Sequence, residues 1–128
     1  IYTQRDTLSL HDALPICCDL ALFIDAGTGT PAPFEFRETA PAPGRPVSSH
    51  SLPPEAVLNV FADIRGVPPP PAFVLCVRGE DFGLGKDLSA AARQHFDAAA
   101  ARLAACLTRP DAAYWRRLAE ADRRVVTT

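Results

Sequence analysis

The chain has 128 residues, 13 Lys and Arg against 15 Asp and Glu, and a formal charge of −2 at pH 7. That length bounds it to one modest domain, and the slight acidity excludes a nucleic-acid protein relying on a broad phosphate-neutralising surface. No apolar run approaches the roughly 20 residues that span a bilayer, so no membrane association is expected, and no secretory signal is visible. The four cysteines have neither disulfide-framework nor zinc-site spacing, and a reducing, cytoplasmic location is expected.

Residues 1–16, IYTQRDTLSLHDALPI, differ from everything after them. Thr7 to Ile16 is what ACT CTT TCC CTA CAC GAC GCT CTT CCG ATC encodes, and this resembles the end of a common short-read sequencing adapter read in one frame. Ile1-Tyr2-Thr3 fits ATC TAC ACN from the same adapter, and Gln4, Arg5 and part of the Asp6 codon fit its variable index. The adapter's closing T fits the first base of the Cys17 codon. The alternative, an amphipathic segment packing Leu8, Leu10 and Leu14, explains less of the match. Residues 1–16 are therefore read as a non-native, adapter-derived segment and set aside from the fold. The domain to be explained covers 17–128.

Leu20 to Ile24 is a short apolar run ending at Asp25 and followed by Gly27-Thr28-Gly29, which favours a fully buried strand. Phe34 to Glu38 alternates strictly and reads as a half-exposed edge strand. Pro41, Pro43, Gly44 and Pro46 keep 39–49 a loop. A helix opens near Pro53, with Glu55 at its positive end, an apolar face of Val57, Val60, Phe61 and Ile64, and Gly66 as its stop. Pro68–Pro71 is a stiff spacer. Ala72 to Val77 is a second buried strand, and Gly79, Gly83 and Gly85 mark the loop after it. Ser89 caps a long helix whose face runs Leu88, Ala92, Phe96, Ala99, Leu103 and Leu107. Asp111 caps a last helix carrying Tyr114, Trp115, Leu118 and Val125, with Arg116, Arg117, Arg123 and Arg124 as a solvated face or a docking surface. The expected fold is α/β: a three-layer αβα arrangement with a mixed, partly parallel sheet, lacking its first βα unit.

Two residues stand out for chemistry. Asp25 ends a buried-type strand, where open α/β sheets place their ligands, although the carboxylate can equally cap the Gly27 turn. His50 precedes a helix N-terminus, whose dipole disfavours imidazolium and keeps the ring neutral, as a metal ligand must be. Taken alone, a loop histidine bonded to backbone is the commoner role. One oxygen and one nitrogen suit nickel, zinc or iron, and a tight site needs at least one more ligand. His95, mid-helix beside Phe96, reads as structural, and Cys17, Cys18, Cys76 and Cys106 as packing residues. Neither glycine pair has dinucleotide or Walker spacing, and no nucleophile-elbow signature marks a serine hydrolase.

Four blocks in order resemble the hydrogenase maturation protease family: Asp19 to Ala26, Ser48 to Leu52, Val74 to Phe82, and Asp87-Leu88-Ser89. The resemblance covers residues 18 to about 107. It implies an endopeptidase that removes the C-terminal extension of the nickel–iron hydrogenase large subunit after nickel insertion. It further implies that Asp25 and His50 bind the nickel recognised in the substrate and carry the catalysis, with a third ligand, a glutamate in a Gly-Asn-type motif, missing here. The fragment is accordingly expected to be inactive, and the complete protein to be a monomer whose partner is the large-subunit precursor. The substrate's extension must lie near the strand ends. There Arg78, Glu80 and Phe82 have the mixed charge and aromatic character to grip a peptide, the alternative being that Phe82 folds back onto the sheet. A non-catalytic α/β binding or scaffolding module of the same fold is the other reading.

Overall fold

A computed structural model describes residues 18–43 and 52–126. The elements run β1 (Ala21–Gly27), β2 (Phe34–Thr39), α1 (Pro54–Arg65), β3 (Ala72–Arg78), α2 (Ala90–Thr108) and α3 (Ala112–Val126). The strands form one sheet in the order β1-β3-β2. Ala21 N–H donates to Pro71 O and Gly79 N–H to Gly27 O, so β1 and β3 pair start with start and end with end, in parallel. Arg78 N–H donates to Pro33 O, which brings the end of β3 to the start of β2 and makes that pair antiparallel. The protein is a small α/β fold with a mixed sheet, as its strand and helix patterning predicts. Among the described residues no helix is long and apolar enough to cross a membrane.

The chain divides into two compact units, one formed by the residues up to Phe23 with Glu38–Phe73, the other by Ile24–Arg37 with the residues from Val74 onward. In the first, α1 begins where the sequence places it. Pro53 is extended (φ −65°, ψ 154°) and Pro54 takes the first helical position, where its missing N–H costs nothing. Gly66 ends the helix at φ 65°, a left-handed conformation a side chain would resist, and donates its N–H to Ala62 O at 2.9 Å. Glu55 ties the end of β2 to this helix: its Oε1 accepts from Thr39 Oγ1 at 2.8 Å, and its backbone carbonyl accepts from Ala42 N–H at 3.1 Å. Val57 and Phe61 form a core to which Phe23 and Val60 add, while Leu58 is fully buried. Ile64, in the last turn of the expected face, is 63% exposed.

In the second unit Ser89 caps α2, its hydroxyl accepting from Ala92 N–H at 3.1 Å. The buried stripe of α2 is Ala92, Ala99 and Cys106, spaced by seven residues and composed of small side chains. Of the expected larger face, Leu103 is half-buried, and Leu88, Phe96 and Leu107 are exposed. Asp111 opens α3 by accepting from Ala113 N–H at 2.8 Å. Trp115 is buried; its Nε1–H donates to both Cys106 O and Arg109 O at 3.0 Å, and Phe36 meets its ring edge-on at 6.4 Å. Arg102 and Asp122 pair between α2 and α3.

One expectation is corrected. The run Leu20–Ile24 reads as a fully buried strand, yet β1 is half-buried at Ala21–Phe23 and exposed at Ile24–Ala26. The cause is position in the sheet: β1 pairs on one side only, whereas β3 lies between two neighbours and buries Ala72–Leu75 completely. β2 is the half-exposed edge strand its alternation predicts.

Two outcomes follow from this packing. Leu58→Ala should cost about 2–5 kcal/mol in urea unfolding, whereas Ile64→Ala should stay within about 0.5 kcal/mol; equal effects would contradict the assigned helix face. Burial pushes the Cys106 thiol up to about 11, an effect that nearby Arg102 opposes and Asp122 reinforces. At pH 8 a disulfide reagent should therefore label exposed Cys18 and leave Cys106 unmodified until the chain unfolds, as peptide mapping by mass spectrometry would show.

Candidate functional site

The second unit brings the carboxyl ends of β1 and β3 together, and a web of polar contacts fixes the turn that follows β1. Thr30 N–H closes that turn on Gly27 O at 3.3 Å, so the turn is capped by backbone and not by Asp25. Thr30 Oγ1 lies 3.0 Å from Cys76 Sγ, and its carbonyl accepts from the Arg78 guanidinium at 2.9 Å. Arg78 Nε is buried without a hydrogen bond among the described residues, and the Glu80 carboxylate stands 3.7 Å from it. Glu80 is also 3.8 Å from His95 Nδ1, and that nitrogen is 3.3 Å from Arg78 O. His95 thus joins α2 to the end of β3, consistent with a structural role.

The loop after β3 folds back on itself. Asp81 accepts from Gly83 N–H at 2.8 Å and from Lys86 Nζ at 2.6 Å, and these two donors, the ammonium foremost, hold its carboxyl below the usual range. The Phe82 ring occupies the space beside Gly79 so closely that a Cβ there would lie 2.2 Å from its tip. Phe82 therefore does fold back against the strand end, and it still leaves 62% of its surface open.

These elements enclose a cavity of about 420 Å³. Ile24, Asp25 and Ala26 of β1 form one wall, Val77 to Phe82 a second, and Leu88, Ser89, Ala92 and Phe96 a third. Four of the five residues singled out from sequence line it: Asp25, Arg78, Glu80 and Phe82. The fifth, His50, lies outside the described residues. Leu88 and Phe96, assigned to a buried helix face from periodicity, instead line the cavity. The buried contacts of the helix are made instead by the stripe Ala92-Ala99-Cys106. A second cavity, in the first unit, runs between Thr39, Leu58 and Pro68–Pro71 and holds none of the candidate residues.

Asp25 is exposed, and its Oδ1 accepts from the next residue's N–H, Ala26, at 2.8 Å. Among the described residues it has no ion-pair partner, whereas Glu80 and Asp81 are already paired. Among the described residues no group of three or more His, Cys, Asp and Glu side chains is arranged to hold a metal ion. A single uncommitted carboxylate is a donor for a metal that arrives with other ligands, and too little to retain one by itself. Comparison with protein-family models, curated proteins and solved structures finds no match.

Gly79→Ala tests the seat of Phe82. The colliding atoms are the far end of an exposed side chain, so the ring should swing into solvent at a cost below about 1 kcal/mol. Nuclear Overhauser contacts between the Phe82 ring and residue 79 should disappear while the melting temperature barely moves; retained contacts would contradict the packing.

Proposed function

We propose that the chain is the substrate-binding part of an endopeptidase that trims the C-terminal extension of the nickel–iron hydrogenase large subunit, acting in the cytoplasm. The observation supporting this reading is a convergence: Asp25 from one sequence block and Arg78, Glu80 and Phe82 from another line one cavity where parallel strands end. On this reading nickel is part of the substrate. Asp25 offers it a carboxylate oxygen, and His50, by the family resemblance, offers a nitrogen. Glu80 and Asp81 do not compete, because Arg78, His95 and Lys86 already face them. The peptide extension would lie along Phe82 and the strand ends, with the Asp25 oxygen that has no hydrogen-bond partner among the described residues available to a metal or a proton.

The exposed apolar walls of the cavity equally suit a non-catalytic binding module of the same fold. One experiment separates the two. Large-subunit precursor, with and without nickel, is presented to the wild-type chain and to a version completed at its N-terminus with a Gly-Asn motif and its glutamate. The reading predicts that nickel-loaded precursor is bound preferentially, that the completed version removes the extension, and that Asp25→Ala and His50→Ala each abolish both effects with the fold intact. Binding without cleavage in the completed version would favour the module, and binding indifferent to nickel would sink the proposal.

A further inference from the structure

Among the described residues β1 has β3 as its sole neighbour in the sheet. Ala21 N–H donates to Pro71 O and Gly27 O accepts from Gly79 N–H, so Ala21 and Gly27 direct their backbone groups toward β3. Successive residues of a strand direct these groups to opposite sides. Leu22, Ile24 and Ala26 therefore direct theirs away from the sheet, and Ile24, Asp25 and Ala26 are exposed there.

A row of open donors and acceptors is a template for another strand. A second copy of this chain carries the matching row. Turned antiparallel about Ile24, it would set Leu22 of each copy opposite Ala26 of the other. Each Ala26 N–H would then donate to a Leu22 carbonyl across the two-fold axis.

Asp25 opposes that pairing in two ways. Its Oδ1 already accepts from Ala26 N–H at 2.8 Å, so an arriving carbonyl would meet a carboxylate, acceptor against acceptor. Asp25 would also stand opposite Phe23 of the second copy, where its charge would lose hydration against an apolar ring. A charged side chain at an exposed strand edge is a common barrier to such pairing.

We infer that Asp25 guards the β1 edge: by holding the Ala26 N–H it keeps a second copy of this chain from pairing there. The inference stands apart from the proposed function, because it uses one carboxylate oxygen and that reading uses the other.

Amide exchange in the isotopically labelled 128-residue chain reads the bond itself. After correction for intrinsic rates, Ala26 N–H should exchange about ten-fold more slowly than Ile24 N–H, the slowing that one net hydrogen bond gives. Equal rates in the wild type would overturn the inference without any variant. Light scattering at rising concentration then reads the guard. Asp25→Ala should associate at a concentration about ten-fold below the wild type, since each copy regains one ladder bond. Its Leu22, Ile24 and Ala26 amides should gain protection as it does so, with the helix content by circular dichroism unchanged. Asp87→Asn, which removes the same charge from the exposed loop before α2, should behave as the wild type. Association of Asp25→Ala no stronger than the wild type, equal association of Asp87→Asn, or protection gained elsewhere than on β1 would each overturn the inference. An Asp25→Ala chain that stays as dispersed as the wild type yet loses nickel-loaded precursor removes the guard and leaves the endopeptidase reading. Association of the variant, with precursor binding indifferent to nickel in the wild type, does the reverse.

Discussion

The candidate site depends on how the end of β3 is fastened. Within four residues, Cys76 meets Thr30 through its sulfur, Arg78 donates its backbone N–H to Pro33 O and its guanidinium to Thr30 O, and Gly79 donates to Gly27 O. The turn leaving β1 and the strand end of β3 are thereby held in one register. The charge-assisted bond from Arg78 is the strongest of these contacts, because a guanidinium hydrogen bond exceeds a neutral one roughly two-fold. Asp25 and Phe82 share a cavity only because this register fixes both strand ends.

The loop beyond Gly79 is held differently. The Lys86–Asp81 pair is short but more than half exposed, and such a pair contributes little once water screens it. The Phe82 ring against Gly79 and the Asp81–Gly83 turn provide the local order. A strand end fixed by part-buried bonds, followed by a wall fixed by exposed ones, is the arrangement expected where a ligand must be admitted, since binding elements draw on the low-stability parts of a fold. Phe82, 62% exposed, belongs to this looser wall.

Helix boundaries were the most readable features in the sequence, because the signals are local. Pro53, Glu55 and Gly66 bracket α1, and Ser89 and Asp111 cap α2 and α3 through their own side chains. β2 was readable from alternation, since its two faces meet different surroundings. β1 was not, because an apolar run records avoidance of water without recording which strand takes the centre. α2 misleads for a related reason: its close packing uses Ala92, Ala99 and Cys106, whose small side chains carry a weak hydrophobic signal, while Phe96 carries a strong one and faces outward. The proximity of Asp25 to Arg78, Glu80 and Phe82 is legible from strand-end position, which parallel pairing of β1 and β3 converts into a shared cavity lining.

On the proposed function, one cavity bounded by Asp25 on one side and Phe82 on the other receives a peptide that brings its own nickel. Nickel ions in such a peptide complex are often paramagnetic and broaden resonances near them, so adding a nickel-loaded peptide copied from the precursor's cleavage region to the labelled chain maps contact directly. Broadening centred on Asp25, Ala26 and Gly79 to Phe82, absent with the diamagnetic zinc-loaded or metal-free peptide at the same concentration, is the predicted result. Changes confined to the Pro68–Pro71 cavity or to α3, with Asp25 and Phe82 unmoved, would contradict it.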